Sequence, residues 1–155
     1  LILITHAHFD HIGGADELRR LTGVKIGIGA KDEKDLSDPK INLSDKFHAG
    51  VEPFEADILF SDGDEFTVGD IPFKVILTPG HTVGEVCYLS GNSLFSGDTL
   101  FKGSVGRTDF PGGDTRILLR SVKKLVALPG GTEVYPGHGD FTTIAEEKNN
   151  NMFAW

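Results

Sequence analysis

An α/β or α+β layered domain is what this sequence predicts, and three observations carry the prediction. Segments of strand-like alternation and of helical periodicity interleave from one end of the chain to the other. Two pairs of strand-like segments are joined by Gly69-Asp70 and Gly91-Asn92, which is hairpin chemistry. No internal repeat or low-complexity linker divides the 155 residues, so a single domain over residues 1–155 is expected.

The elements follow in order. Leu1 to Ile4 is a short apolar strand of the buried kind. Asp16 to Leu21 reads as a helix, with acids first, basic residues last and Gly23 as its stop. Val24 to Ile28 alternates and is the next strand. Lys31 to Asp38 is a charged run, a short helix ended before Pro39, whose charges suggest a solvated surface face. Ile41 to Asp57 shows little periodicity and reads as loop with some helix, and His48 within it as an ordinary surface histidine. Glu65 to Val68 pairs with Pro72 to Leu77, and Glu85 to Leu89 with Ser93 to Ser96. Cys87, inside an apolar strand, is expected in the core. Lys102 to Gly113 is a glycine-rich polar loop with room to shape a pocket. Asp114 caps a helix whose stripe is Ile117, Leu118, Val122, Leu125 and Val126, and Pro129-Gly130-Gly131 breaks it. Thr132 to Tyr135 is a last strand, and Thr143 to Glu146 is a capping box opening a C-terminal helix.

Composition excludes several function classes. A formal net charge of −8 argues against nonspecific binding to nucleic acid or membrane surfaces. No apolar run approaches the length of a membrane span. One cysteine rules out an internal disulfide and fits a reducing, cytoplasmic compartment. It also excludes a thiolate-rich zinc site, so any metal here is held by nitrogen and oxygen.

The chemistry concentrates in Thr5-His6-Ala7-His8-Phe9-Asp10-His11, directly after the first strand. On a helix, His6 and His8 would point to nearly opposite sides, so the motif belongs on a loop. In an extended chain His6, His8 and Asp10 share one side, and His11 joins them only if the chain bends at Asp10. Four ligand-type residues on one segment are more than a single ion needs. Distant partners of the same type follow at strand ends, each beside glycine or proline. They are His81 in Pro79-Gly80-His81-Thr82, Asp98 in Gly97-Asp98-Thr99 and His138 in Pro136-Gly137-His138-Gly139.

This set, His6-x-His8-x-Asp10-His11 followed by His81, Asp98 and His138, resembles the metallo-β-lactamase fold superfamily. The strings Gly97-Asp98-Thr99-Leu100-Phe101 and Gly106-Arg107-Thr108-Asp109-Phe110 resemble its glyoxalase II-like branch, hydrolases of hydroxyacylglutathione thioesters. The resemblance implies an αββα sandwich with two divalent metal ions at one edge. Zinc is the first expectation, and iron and manganese suit the same donors. By this carry-over His6, His8 and His81 hold one metal, Asp10, His11 and His138 the other, and Asp98 bridges. A metal-bridging hydroxide would then attack the thioester carbonyl, with Asp10 orienting it or taking its proton. Arg107 and Lys102 could pair with a substrate carboxylate, or Arg107 could brace Asp109 or Asp114.

Two departures from the family pattern shape the expectation. The longer glyoxalase II enzymes carry a C-terminal helical domain that helps bind glutathione, and no such domain is expected in residues 1–155. The family's fold begins with strands ahead of the histidine motif, so the sandwich is expected to lack its N-terminal strands here. A small-molecule thioester of undefined carrier is therefore the expected partner. Two rival activities share the fold. A persulfide dioxygenase would use one iron at His6, His81 and Asp98, and a lactonase or β-lactamase would use a similar metal site with less similar flanking strings.

Overall fold

Two sheets of unequal size face each other, and each is backed by helices on its outer side. The computed structural model describes residues 1–155. The chain opens with β1 (Ile2–Leu3), α1 (Phe9–Ile12), α2 (Ala15–Thr22) and β2 (Ile26–Gly29), then a 3₁₀ turn over Glu33–Ser37. It continues through α3 (Ser44–Phe47), β3 (Ile58–Phe60), β4 (Glu65–Val68), β5 (Ile71–Leu77), β6 (Val86–Ser90) and β7 (Ser93–Gly97). Last come β8 (Leu100–Phe101), β9 (Ser104–Val105), α4 (Thr115–Leu125), β10 (Glu133–Pro136), β11 (Thr142–Thr143) and α5 (Ile144–Asn150). No helix is long and apolar enough to cross a membrane.

The small sheet is all parallel, in the order β1-β2-β3. The large one is mixed, in the order β11-β10-β7-β6-β5-β4. Its two hairpins close through the expected glycines, with Val68 opposite Ile71 and Ser90 opposite Ser93. Gly69 and Gly91 sit at positive φ as the first turn residue, which a side chain would resist.

Alternation along the strands divides the core into three apolar clusters, one per interface between layers. Ile76, Cys87, Leu94 and Val134 face Leu118, Val122, Leu125 and Ile144 of the helices behind the large sheet. Val75, Val86 and Tyr88 point the other way, meeting Phe60, Leu3 and Ile58 between the sheets. Ile4, Ile26 and Ile28 pack outward on Ile12, Ala15 and Leu36. These are the four layers of an αββα sandwich. Gly27 and Gly29 supply the inner face of β2, and a Cβ at Gly29 would come within 2.2 Å of the Gly84 carbonyl oxygen. The sheets approach closely there because β2 offers no side chains.

The structure departs from the sequence reading in particular places. The charged run at residues 31–38 is a solvated face only in part: Lys31, Lys34 and Asp38 are exposed, but Asp32, Asp35 and Leu36 are buried, because this turn caps the sandwich beside the histidine loop. The histidine motif is not loop throughout, since α1 takes up Asp10 and His11. Ile117 lies outside the α4 core stripe, 39% exposed. Asp114 caps α4 through Ile117 N–H and Thr143 caps α5 through Glu146 N–H, both as expected. Cys87 is fully buried, and burial pushes its thiol up to about 12.

Candidate metal centre

All seven residues expected to bind metal converge at one edge of the sandwich. His6 and His8 lie on the segment leaving β1, and the chain then turns into α1, which swings Asp10 and His11 away. The bend thus begins at Phe9, one residue earlier than the sequence suggested, and Asp10 does not join His6 and His8. His81 comes from the loop between β5 and β6, Asp98 from the end of β7, and His138 from the end of β10.

The donors sort into two main groups, His6 with His8 and His81, and Asp10 with His11 and His138, the ligand atoms of each lying within 4.8 Å of one another. A third grouping of His6, His11 and Asp98 straddles the two. Asp98 is the link. Its Oδ1 stands 3.4 Å from His11 Nε2, and its Oδ2 stands 3.5 Å from His81 Nε2 and 3.6 Å from His138 Nε2. Asp10 Oδ2 lies 3.2 Å from His138 Nε2.

The donor chemistry fits cations. His81 donates from Nδ1 to the Arg107 carbonyl at 2.7 Å, leaving Nε2 as its lone pair, and that nitrogen sits 2.9 Å from His8 Nδ1. His6 Nε2, His8 Nε2 and Asp98 Oδ1 are buried without any hydrogen-bond partner. Orphaned buried polar atoms cost free energy, so a cluster of them marks a place built for another charge. Burial holds His8 down to about 4, helped by its neighbour His81, and pushes His6 well below the ordinary histidine value. His81 is lowered by burial as well. Neutral imidazoles are the metal-ligating form. Burial raises the Asp98 carboxyl, but His11 at 3.4 Å, with His81 and His138, holds it below the usual range.

Three glycines make the close approach possible. A Cβ at Gly137 would meet Asp98 Oδ1 at 2.5 Å, and one at Gly106 would meet the Asp98 carbonyl oxygen at 1.9 Å and His81 Nδ1 at 3.1 Å. Gly97, at positive φ, has Glu85 Oε1 and Thr5 Oγ1 where its side chain would be.

A cavity of about 520 Å³ opens onto His8, Asp10, His81, Asp98 and His138, walled by Phe9, Phe47, Phe101 and Phe110. Arg107 lines it, but its guanidinium is committed to Asp109 through two bonds of 2.6 Å and lies 4.0 Å over the Phe110 ring. Of the two readings of Arg107, the structure contains the brace to Asp109. Lys102 pairs with Asp140 at 3.4 Å, and His48 is an exposed residue outside the clusters.

Sequence reasoning missed two buried acids that brace the centre. Glu85 immediately precedes β6 behind His6 and accepts the Asp98 N–H at 2.6 Å. Asp32 accepts the Thr82 hydroxyl at 2.6 Å and the Gly84 N–H at 2.5 Å, tying the turn after β2 to the His81 loop. The available signal was positional: an acid just ahead of an apolar strand, and one just past a strand end.

Comparison with known proteins gives a consistent picture. The family model of the metallo-beta-lactamase superfamily matches residues 1–138. Among curated relatives, the probable metallo-hydrolase YqgX of Bacillus subtilis is 38% identical over 98% of this chain and 74% of its own. The hydroxyacylglutathione hydrolase GloC of Haemophilus influenzae is 34% identical over 99% of this chain and 74% of its own. The crystal structure of BLEG-1 B3 metallo-beta-lactamase superposes with a TM-score of 0.93 at 41% identity, covering 99% of this chain and 76% of that one. TTHA1623 in a di-iron-bound form gives 0.87 at 34% identity, covering 98% and 76%.

Proposed function

The chain belongs to the metallo-beta-lactamase superfamily, and from that premise we propose that it is a metal-dependent hydrolase that cleaves a thioester. The observation that carries the reading is the pair of donor groups joined through the two oxygens of Asp98. His6, His8 and His81 would hold one divalent ion, and Asp10, His11 and His138 the other, zinc being the first expectation. When bound, two such ions supply a nucleophilic water at neutral pH and Lewis-acid polarisation of a carbonyl.

The chain's own residues do the rest. Asp10 is the outermost carboxylate of the centre, and its Oδ2 beside His138 is placed to orient a water or hold its proton. Phe9, Phe47, Phe101 and Phe110 give the acyl group an apolar seat and keep bulk water from the reacting carbonyl. The His81 ring is fixed by the Arg107 carbonyl, so this ligand keeps its orientation between turnovers. The thioester preference is supported by the Pro-Gly-His-Gly string at residues 136–139 and by the relative named as a hydroxyacylglutathione hydrolase.

The test combines metal counting on protein purified without chelator with a panel of thioester, lactone, β-lactam and persulfide substrates. Two metals per chain and release of free thiol are expected. One iron per chain with oxygen uptake on persulfide would overturn the hydrolase reading. Lactone or β-lactam turnover without thioester cleavage would keep the hydrolase and discard the substrate class.

A further inference from the structure

Glu85 is a fully buried acid that neither the metal donors nor the substrate cavity account for. An unpaired carboxyl at this depth costs several kcal/mol unless its surroundings use it. Its surroundings are particular. Glu85 Oε1 accepts the backbone N–H of Asp98 at 2.6 Å and lies 3.5 Å from His6 Nδ1. Its Oε2 has no partner. The room for this carboxyl is made by Gly97, where any Cβ would stand 2.6 Å from Oε1. Nothing in the packing of β6 requires an acid here, since the next residues Val86, Cys87 and Tyr88 fill the apolar layers on both sides.

We propose that Glu85 is a positioning residue of the metal centre, whose single oxygen Oε1 sets the orientation of both His6 and Asp98. The inference rests on the metal-binding reading of the site and not on the thioester. His6 presents Nε2 to the cluster, so a metal-bound His6 carries its proton on Nδ1 and must donate it backwards. Two acceptors stand there, Thr5 Oγ1 at 3.2 Å and Glu85 Oε1 at 3.5 Å. The Thr5 hydroxyl hydrogen-bonds His6 and does not reach the Asp98 peptide. Glu85 also anchors the peptide of Asp98, the residue that links the two donor groups, so it couples a terminal ligand of the buried group to the bridge.

The test uses the full chain and reads metal affinity by competition with a chromophoric chelator, together with the visible absorption of the cobalt(II)-substituted protein. E85L keeps the side-chain size and removes the acceptor, so metal affinity should fall by roughly 10–100-fold, the range for losing such a supporting partner. The cobalt bands should shift while the folded circular dichroism signal persists. E85Q retains an acceptor oxygen and should recover most of the affinity and the wild-type bands. T5V should lose less than E85L. Where E85L does not fold, E85D carries the test: its carboxyl is one methylene short of the gap between His6 and Asp98, and the same loss is expected. Wild-type affinity and an unshifted cobalt spectrum in E85L or E85D would overturn the proposal. So would T5V reproducing the whole loss, or E85Q behaving like E85L. A wild-type chain that binds no divalent ion would overturn the metal reading itself, an outcome distinct from all of these.

Discussion

The two halves of the metal centre differ in one donor, a carboxylate where the other has a third imidazole, and in how much water reaches them. His6, His8 and His81 are buried, whereas the Asp10 side chain is 38% exposed and that of His138 is 54% exposed. The difference originates in the chain path. β1 delivers His6 and His8 into the gap between the sheets, and α1 then carries Asp10 and His11 back out toward solvent. A buried cage of neutral imidazoles fixed by packing leaves little reorganisation to oppose binding. An open group must order exposed side chains and compete with water. On the two-ion reading proposed above, the inner group suits the tighter ion and the outer group the one that meets substrate.

The largest effect that would break this comparison comes from removing one ligand on each side. H8A should lose its inner ion by more than the roughly 100-fold that marks the upper range for removing a supporting partner. H138A should weaken the outer ion while the inner one survives dialysis against chelator. Metal content of the two variants, measured side by side after the same dialysis, checks this. Equal losses would show that the two groups form one cooperative site, and the exposure difference would then be irrelevant to affinity.

That contrast was partly legible in the sequence. Four of the seven candidate donors stood together in the histidine motif, and the other three could be named because they stood at strand ends next to glycine or proline, where they cannot serve a core. The division of the histidine motif came from the family resemblance, since the extended-chain reading had put Asp10 with His6 and His8, and the residues alone showed only that there were more donors than one ion needs. What could not be read was the depth of each half. It depends on α1, a single turn of helix too short to leave a periodic signal, and on a small parallel sheet whose third strand is only Ile58–Phe60. Asp32 and Glu85 were hidden for a related reason. A charged run and the residue ahead of a strand look solvated until the tertiary fold closes over them.

A pH titration of the metal-free protein sharpens the comparison next. His8 titrates near 4 in the fold against about 6.5 unfolded, so between those values the unfolded chain takes the proton first. Stability from this residue is complete above pH 6.5 and is lost as pH falls toward 4, by about 3 kcal/mol in all. His6 and His81 are lowered in the same direction and add to the loss. Asp32 works against it. Burial raises its carboxyl to about 6, so here the folded chain takes the proton first, and stability rises as pH falls from 6 toward 3.8. D32N removes that compensation. Its unfolding free energy should fall more steeply than wild type between pH 6 and 4, by about 1.4 kcal/mol per pH unit, one proton's worth. Denaturant titrations at several pH values measure both slopes, and parallel slopes would show that Asp32 does not titrate in the fold.

The smallest effects separate backbone from side chain in the loop that closes the inner group. Arg107 acts on His81 through its carbonyl oxygen, which every substitution retains. Its side chain is exposed and paired with an exposed Asp109, an arrangement that solvent screens and that contributes little to stability. R107A should therefore leave the denaturation midpoint and the metal content close to the wild-type values. It should raise KM for thioesters carrying a carboxylate more than for neutral ones only if the guanidinium leaves Asp109 to meet substrate. The neighbouring G106A gives the contrast, because its Cβ would press on the Asp98 carbonyl and on His81 Nδ1. G106A should lose inner-site metal although the added group is a single methyl. If R107A instead loses metal and G106A keeps it, the ring of His81 is held by the guanidinium's surroundings and not by the backbone, and the inner group is less rigid than its burial implies.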